Sequence, residues 1–179
     1  NANGCLYTPE LRNDLIDTLE DTRITHGMLR ILPEQLKRVE SLLRGTWVDA
    51  EVVYENLEIG ALRPLFDALR GLHTVIISSN EKKDAPLPYT GFITAPRKNA
   101  HGDKKRILNE VRAYAAGHPE PVTYLFACGM AAGTFVHELH GTIPGASFLD
   151  IGHILDPFVG QFDRDYLLKI PKETLMRNI

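Results

Sequence analysis

The sequence predicts an α/β fold: a Rossmann-like, mostly parallel sheet flanked by helices on both faces. Two apolar, β-rich runs carry this first, His73–Ser78 (HTVIIS) and Val122–Ala127 (VTYLFA). Neither alternates as a half-exposed strand does, so each suits a strand covered on both faces. Strand, loop and helix then recur in order from residue 73 to 156, the pattern that right-handed parallel crossovers require. Finally, the small-residue stretch Cys128–Gly133 joins the second run to a helical pattern, giving a strand, a tight glycine turn and a helix N-terminus. At 179 residues and 44% hydrophobic, the chain bounds one well-buried domain over residues 1–179. It begins at Asn1 without an initiator methionine, so the expectation leaves room for a missing N-terminal segment.

Taken in order, Asn1–Tyr7 is turn-like around Asn3-Gly4. Thr8-Pro9-Glu10 supplies an N-cap, a first-turn proline and an early acid, and opens a helix to about Glu20 with Leu11, Leu15, Ile16 and Leu19 on one face. A short strand is expected within residues 24–29. Pro33-Glu34 starts a helix through Leu36, Val39 and Leu43 that Gly45 closes. Thr46–Tyr54 alternates imperfectly and reads either as a strand or as the lead into the next helix. That helix carries Leu57, Ile59, Leu62, Leu65, Phe66 and Leu69, and ends at Gly71. After strand 73–78, residues 81–89 (EKKDAPLPY) form a surface loop. Gly91–Ala95 is a short strand stopped by Pro96. Asp103–Ala116 is a helix with Ile107, Leu108, Val111 and Tyr114 inward. Ala146–Leu149 is a further strand, Pro157–Arg164 a loop, and Tyr166–Ile179 a tail with weak helical signals.

Charge and composition exclude several classes. Net charge is −3 with a pI near 6.2, and the 20 basic residues are scattered, so there is no electrostatic case for nucleic acid or an anionic membrane. No apolar run approaches the roughly 20 residues that span a bilayer, and no leader pattern is present. The two cysteines, Cys5 and Cys128, are far apart, and Cys128 lies in the core turn. That fits a reducing compartment, hence a cytoplasmic location. The sequence leaves a homo-oligomer open.

In open α/β sheets, ligands bind beyond the carboxyl ends of the strands. The candidates are therefore Asn80, the Arg97–His101 loop, Gly129–Gly133 and Asp150–Asp156. Gly129, Met130 and Ala131 open a helix whose unpaired amides and positive dipole end favour a diphosphate, although such a turn also serves merely to pack a helix on a sheet. Arg97, Lys98 and Asn99 offer donors to phosphate or sugar hydroxyls, Arg97 as the bidentate partner; the alternative is solvated loop charge. Asp150 and His153 have the chemistry of a base or ligand, set against an Asp that caps a turn and a His in a satisfied hydrogen bond. Asp156 precedes a proline and also reads as a turn initiator. Asp49 and Glu51, two apart, would share one face of a strand and could bridge a cation, or line a solvated edge. His137-Glu138-Leu139-His140 lacks the i, i+4 spacing of a zinc-protease helix. Cys128 reads as a packed thiol.

Three blocks then stand together: Pro96-Arg97-Lys98-Asn99-Ala100, Cys128-Gly129-Met130-Ala131-Ala132 and Asp150-Ile151-Gly152-His153. In order and spacing they resemble the GT-D type of glycosyltransferase-like domain found in bacterial and phage proteins, over roughly residues 73–156. The resemblance implies a nucleotide-sugar substrate with its diphosphate near the glycine turn, transfer to an acceptor hydroxyl whose identity stays open, and a divalent cation (Mn or Mg) on an Asp-x-Glu motif near the domain's start. This chain departs from that pattern, because its Asp-x-Glu is Asp49-Ala50-Glu51, in mid-region. The competing expectation is a non-catalytic Rossmann-like module that binds a nucleotide or a protein. A methyltransferase-like fold is disfavoured by the late position of the glycine turn.

Overall fold

The computed structural model describes residues 6–23, 26–29, 37, 39–43, 46–162 and 164–179. The turn expected at Asn3-Gly4 and most of the helix expected over 34–43 lie outside them. Helix α1 (Pro9–Glu20) starts as its sequence dictates: the Thr8 hydroxyl accepts the Leu11 N–H at 3.2 Å and Pro9 fills the first turn. Strands β1 (His26–Leu29) and β2 (Thr46–Asp49) pair in parallel as a two-stranded sheet. The ambiguous stretch 46–54 is thus both things in turn, a strand and then helix α2 (Glu51–Ile59).

One expectation needs correction. The helix read as continuous from Leu57 to Leu69 is two helices, α2 and α3 (Arg63–Arg70). Gly60 breaks it by adopting φ of 77°, where its N–H caps the carbonyls of Asn56 and Leu57, and Pro64 then begins the next helix. The hydrophobic spacing hid this break because both helices press the same kind of face inward.

The main sheet has four strands, all parallel, in the order β4 (Gly91–Thr94), β3 (Thr74–Ser78), β5 (Thr123–Ala127) and β6 (Ser147–Asp150). Strand β3 is buried at every residue. Its alternation splits the core in two. Val75 and Ile77, with Tyr124 and Phe126 of β5, face α4 (Lys104–Gly117) and α5 (Ala131–Leu139) through Ile107, Val111 and Phe135. Ile76 and Leu125 face the other way, onto Leu57, Phe66, Leu69, Leu155 and Leu175. Helices therefore cover both faces, as the unalternating strands require. Outside α5 lies α1, docked by Asp14 to Lys104 (2.7 Å) and His101 (2.8 Å) and by Asp21 to His137 (2.7 Å). His137 is thereby occupied in joining helices.

The weak tail forms α6 (Lys172–Arg177), and the chain beyond it is knitted back by one side chain. Asn178 is fully buried; its Oδ1 accepts the Leu62 N–H at 2.9 Å and its Nδ2 donates to the Leu57 carbonyl at 3.1 Å, so it satisfies the very backbone that the α2–α3 break exposes. Asn178→Ala leaves the Leu62 amide buried and unpaired, and a loss of about 1–3 kcal/mol is expected in urea unfolding. An unchanged midpoint would show that water replaces the side chain.

Candidate functional site

The chain leaves β3 to make β4 on one side and returns to make β5 on the other, so the sheet's topological switch point lies between β3 and β5. Their carboxyl ends run into Ser79-Asn80 and Cys128-Gly129. Parallel register aligns all four ends: Ser78 pairs with Thr94 on one side and Ala127 on the other, and Phe126 pairs with Asp150.

On the β4 side, the Thr94 hydroxyl donates to Asn80 Oδ1 at 2.9 Å, which holds exposed Asn80 against the neighbouring strand end. Arg97 is exposed on the following loop. It helps hold the Glu81 carboxyl below its ordinary range, after Glu81's own backbone N–H and the Ser79 hydroxyl, so it lies near the loop after β3. Lys98 is exposed beside it. Asn99 adopts a left-handed φ of 56°, and its Oδ1 accepts the Leu6 N–H, so this side chain also pins the segment before α1.

At the switch point, Gly129 takes φ of 62° and Met130 leads into α5, whose first residue is Ala131. Among the described residues, no side-chain hydrogen bond caps this N-terminus. Gly129 and Met130 are exposed, whereas Ala131 is buried. Cys128 sits just beneath, with its thiol on the Ile77 carbonyl at 3.2 Å; burial, reinforced by the Asp150 charge, pushes it up to about 12, which makes it an inert packed thiol.

Asp150 ends β6, and its Oδ1 accepts the Gly152 N–H at 2.8 Å. Its surface is reached by solvent, yet the protein mass around it raises the carboxyl from the ordinary 3.8 to about 6, with the Gly152 bond opposing. His153 is buried rather than open to the groove. Its ring stacks on Tyr54 with centroids 4.3 Å apart, and its Nε2 meets the Tyr166 hydroxyl. Gly152 between them has φ of 54°, and any Cβ there would lie 2.3 Å from the Tyr54 hydroxyl, so only glycine fits. Asp156 is buried in an ion pair with Lys82 of the Asn80–Asp84 turn.

The carboxyl edge of the sheet thus carries exposed Asn80 and Arg97 towards the β4 side and exposed Gly129, Met130 and Asp150 towards the β6 side. His153 and Asp156 lie below, supporting its loops. Lys82, Tyr54 and Tyr166 hold these loops although no local sequence signal marks them. Lys82 sits in a run of exposed charges, and no local pattern marks which lysine turns inward. The Asp49-Ala50-Glu51 motif does not fit a cation site. Asp49 Oδ1 accepts the Glu51 N–H at 2.8 Å as a turn leading into α2, and among the described residues neither belongs to a group of ligands close enough to share an ion.

Solved structures of similar fold include one described as "A New Glycosyltransferase (DUF1792) from Streptococcus sanguinis", with a TM-score of 0.65 at 17% identity over 86% of this chain and 69% of that chain. Another is a selenomethionine-substituted structure of domain of unknown function 1792, with a TM-score of 0.60 at 15% identity over 86% of this chain and 66% of that chain. At such identity the likeness establishes the fold. No protein-family model and no curated protein matches the sequence.

Two outcomes follow from this geometry. Lys82→Met removes the lysine partner of the buried Asp156 carboxylate and should cost up to about 3–5 kcal/mol, much of it recovered in Lys82→Met/Asp156→Leu, as read by chemical denaturation. Equal losses in single and double variants would deny the pair its role. Because the folded state raises the Asp150 pKa, folded protein binds more protons between pH 3.8 and about 6, and stability from this group is lost as pH rises through that window. Asp150→Asn should therefore raise the melting temperature at pH 7 relative to the parent, and the gap should close below pH 4. A gap that does not vary with pH overturns the raised pKa.

Proposed function

We propose that this chain is a glycosyltransferase domain that moves a sugar from a nucleotide-sugar donor to an acceptor hydroxyl. The observation that carries the reading is the glycine turn at the switch point, where the uncapped amides of an α-helix open at the carboxyl edge of the sheet. It gains support from the fold shared with a protein described as a glycosyltransferase.

In this reading the donor diphosphate lies against Gly129, Met130 and Ala131, with glycine letting the phosphates approach the backbone closely. Arg97 and Lys98 offset charge as the diphosphate leaves, and Asn80 and Asn99 hydrogen-bond donor hydroxyls. The acceptor oxygen forms a bond to the anomeric carbon while that carbon's bond to the phosphate oxygen breaks. The electron pair departs with the nucleoside diphosphate, and the acceptor proton passes to Asp150. A carboxyl raised towards 6 is a stronger base than an ordinary Asp yet remains ionised at neutral pH. His153 positions this loop through its stack on Tyr54, and Asp156 does so through Lys82. A divalent cation belongs to the resemblance, but Asp49 and Glu51 do not supply its site, so no step is routed through one.

That misfit is also the observation favouring a second reading, a non-catalytic module that binds a nucleotide in the same groove. Thermal-shift binding of nucleoside diphosphates and nucleotide sugars, with and without Mn²⁺, tests both. One nucleotide at 100 times its Kd should stabilise the chain by about 2.7 kcal/mol. Gly129→Asp and Arg97→Glu should each abolish that shift. Release of the nucleoside diphosphate from the bound donor supports the transferase, whereas binding without release supports the module. No stabilisation by any nucleotide defeats both.

A further inference from the structure

At the opposite, amino edge of the same sheet, three side chains that the proposed function does not use converge. His73 immediately precedes β3, and His118 and Glu120 lie in the short connection between α4 and β5. One ligand atom from each lies within 4.8 Å of the others. The parallel pairing of β3 with β5 creates this juxtaposition, because the Thr123 N–H bonds the His73 carbonyl at 2.8 Å and so brings residues 118–120 beside the start of β3. From these residues we infer that His73, His118 and Glu120 form a transition-metal site, with Zn²⁺ the ion their donor set fits.

The chemistry of the donors carries the assignment. Two imidazoles and one carboxylate make the three-ligand set of an open zinc site, in which a fourth position stays available to water or another small ligand. Harder ions such as Mg²⁺ prefer oxygen alone. The outer partners are already in place. His118 Nδ1 lies 2.8 Å from the Tyr114 carbonyl, and since a carbonyl only accepts, that nitrogen carries the proton and Nε2 presents its lone pair. His73 Nε2 lies 2.9 Å from the Tyr114 hydroxyl, while its Nδ1 pairs with Glu120 Oε1 at 2.8 Å. One residue, Tyr114, thus orients both imidazoles: its ring stacks on His118 with centroids 4.0 Å apart and meets His73 edge-on. Backbone or hydroxyl partners on the far nitrogen are what metal-bound histidines typically have.

Binding through His73 Nδ1 needs the proton it now shares with Glu120 to leave. From a neutral ring it shifts to Nε2, which then donates a hydrogen bond to the Tyr114 oxygen; from a doubly protonated ring the Nδ1 proton leaves to solvent. Tetrahedral bonds near 2.1 Å hold ligand atoms about 3.4 Å apart, so the 2.8 Å His73–Glu120 pair must open slightly while any separation nearer the 4.8 Å limit shortens, and Glu120, with a half-exposed side chain, has the freedom to supply both. The open position has somewhere to face. His118 and Glu120 line a cavity of about 480 Å³ that Thr142 and Tyr124 also line. The site is independent of the donor groove. Six residues of extended chain separate His73 from Ser79, about 20 Å.

The test is titration of the metal-stripped, tag-free chain with Zn²⁺ against a chromophoric chelator, with melting temperature read in parallel. One Zn²⁺ per chain is expected. His118→Ala and Glu120→Gln, both in a surface connection, should each weaken binding by roughly 100-fold or more, since even loss of an outer-shell partner costs 10–100-fold. His140→Ala, an exposed histidine elsewhere, should leave it unchanged. A wild-type chain that takes up no Zn²⁺, or His118→Ala and Glu120→Gln chains that melt cooperatively and still bind it as the parent does, would overturn the site.

Discussion

The structure depends on the parallel pairing of β3 with β5. Five consecutive residues of β3 are buried, and four of the five in β5, so neither strand has a face that water can satisfy. Two helical layers are therefore obligatory, and the alternation Val75, Ile76, Ile77 against Tyr124, Leu125, Phe126 decides which residue belongs to which layer. Parallel pairing also forbids a hairpin, so each crossover must travel back across a face of the sheet. All strand ends of one kind then lie along one edge. The position of the groove is a consequence of this pairing, before any polar residue is considered.

A groove made by loop ends needs those loops held, and here the holding groups are buried polar and aromatic side chains. The Lys82–Asp156 pair joins the loop after β3 to the loop after β6, reaching past β5 between them. The stack of His153 on Tyr54 ties the β6 loop to α2, and Tyr166 closes it from the tail. Gly152 is fixed by the same contact, since the Tyr54 hydroxyl occupies the space of its missing Cβ. A buried ion pair is costly in desolvation, and hydrophobic substitutes often serve stability as well. Its use here is positional: it sets one arrangement of two loops that, among the described residues, share no backbone hydrogen bond.

The sequence made legible what periodicity and small-residue turns encode. HTVIIS and VTYLFA announced covered strands, Thr8-Pro9 announced α1, and the glycine turn after Ala127 announced the N-terminus of α5. The α2–α3 break was hidden because Gly60 acts through a left-handed backbone angle, while the apolar spacing runs on across it. Within the groove, residue types at strand ends were readable, but their orientation was not. His153 and Asp150 sit three residues apart, and a single turn with Gly152 at positive φ sends one into the interior and leaves the other open. Lys82 and Asp156 are separated by 74 positions, and nothing local in either neighbourhood marks them as partners. The same blindness covered His73, His118 and Glu120, which only the β3–β5 register assembles.

One sheet thus has two chemically different edges. At the carboxyl edge, helix N-termini and exposed Arg97 and Lys98 make a surface suited to anions, and Asp150 is held apart from them on the far strand. At the amino edge, strands begin and helices end, so carbonyls rather than amides point outward, and the Tyr114 carbonyl is used to orient His118. That polarity favours cations. The distribution of ligand chemistry follows the direction of the strands, and because the edges lie about 20 Å apart with no shared partner, changes at one should add to changes at the other within about 0.5 kcal/mol. A measured coupling larger than that would mean that β3, which lies between His73 and Asn80, transmits strain between them.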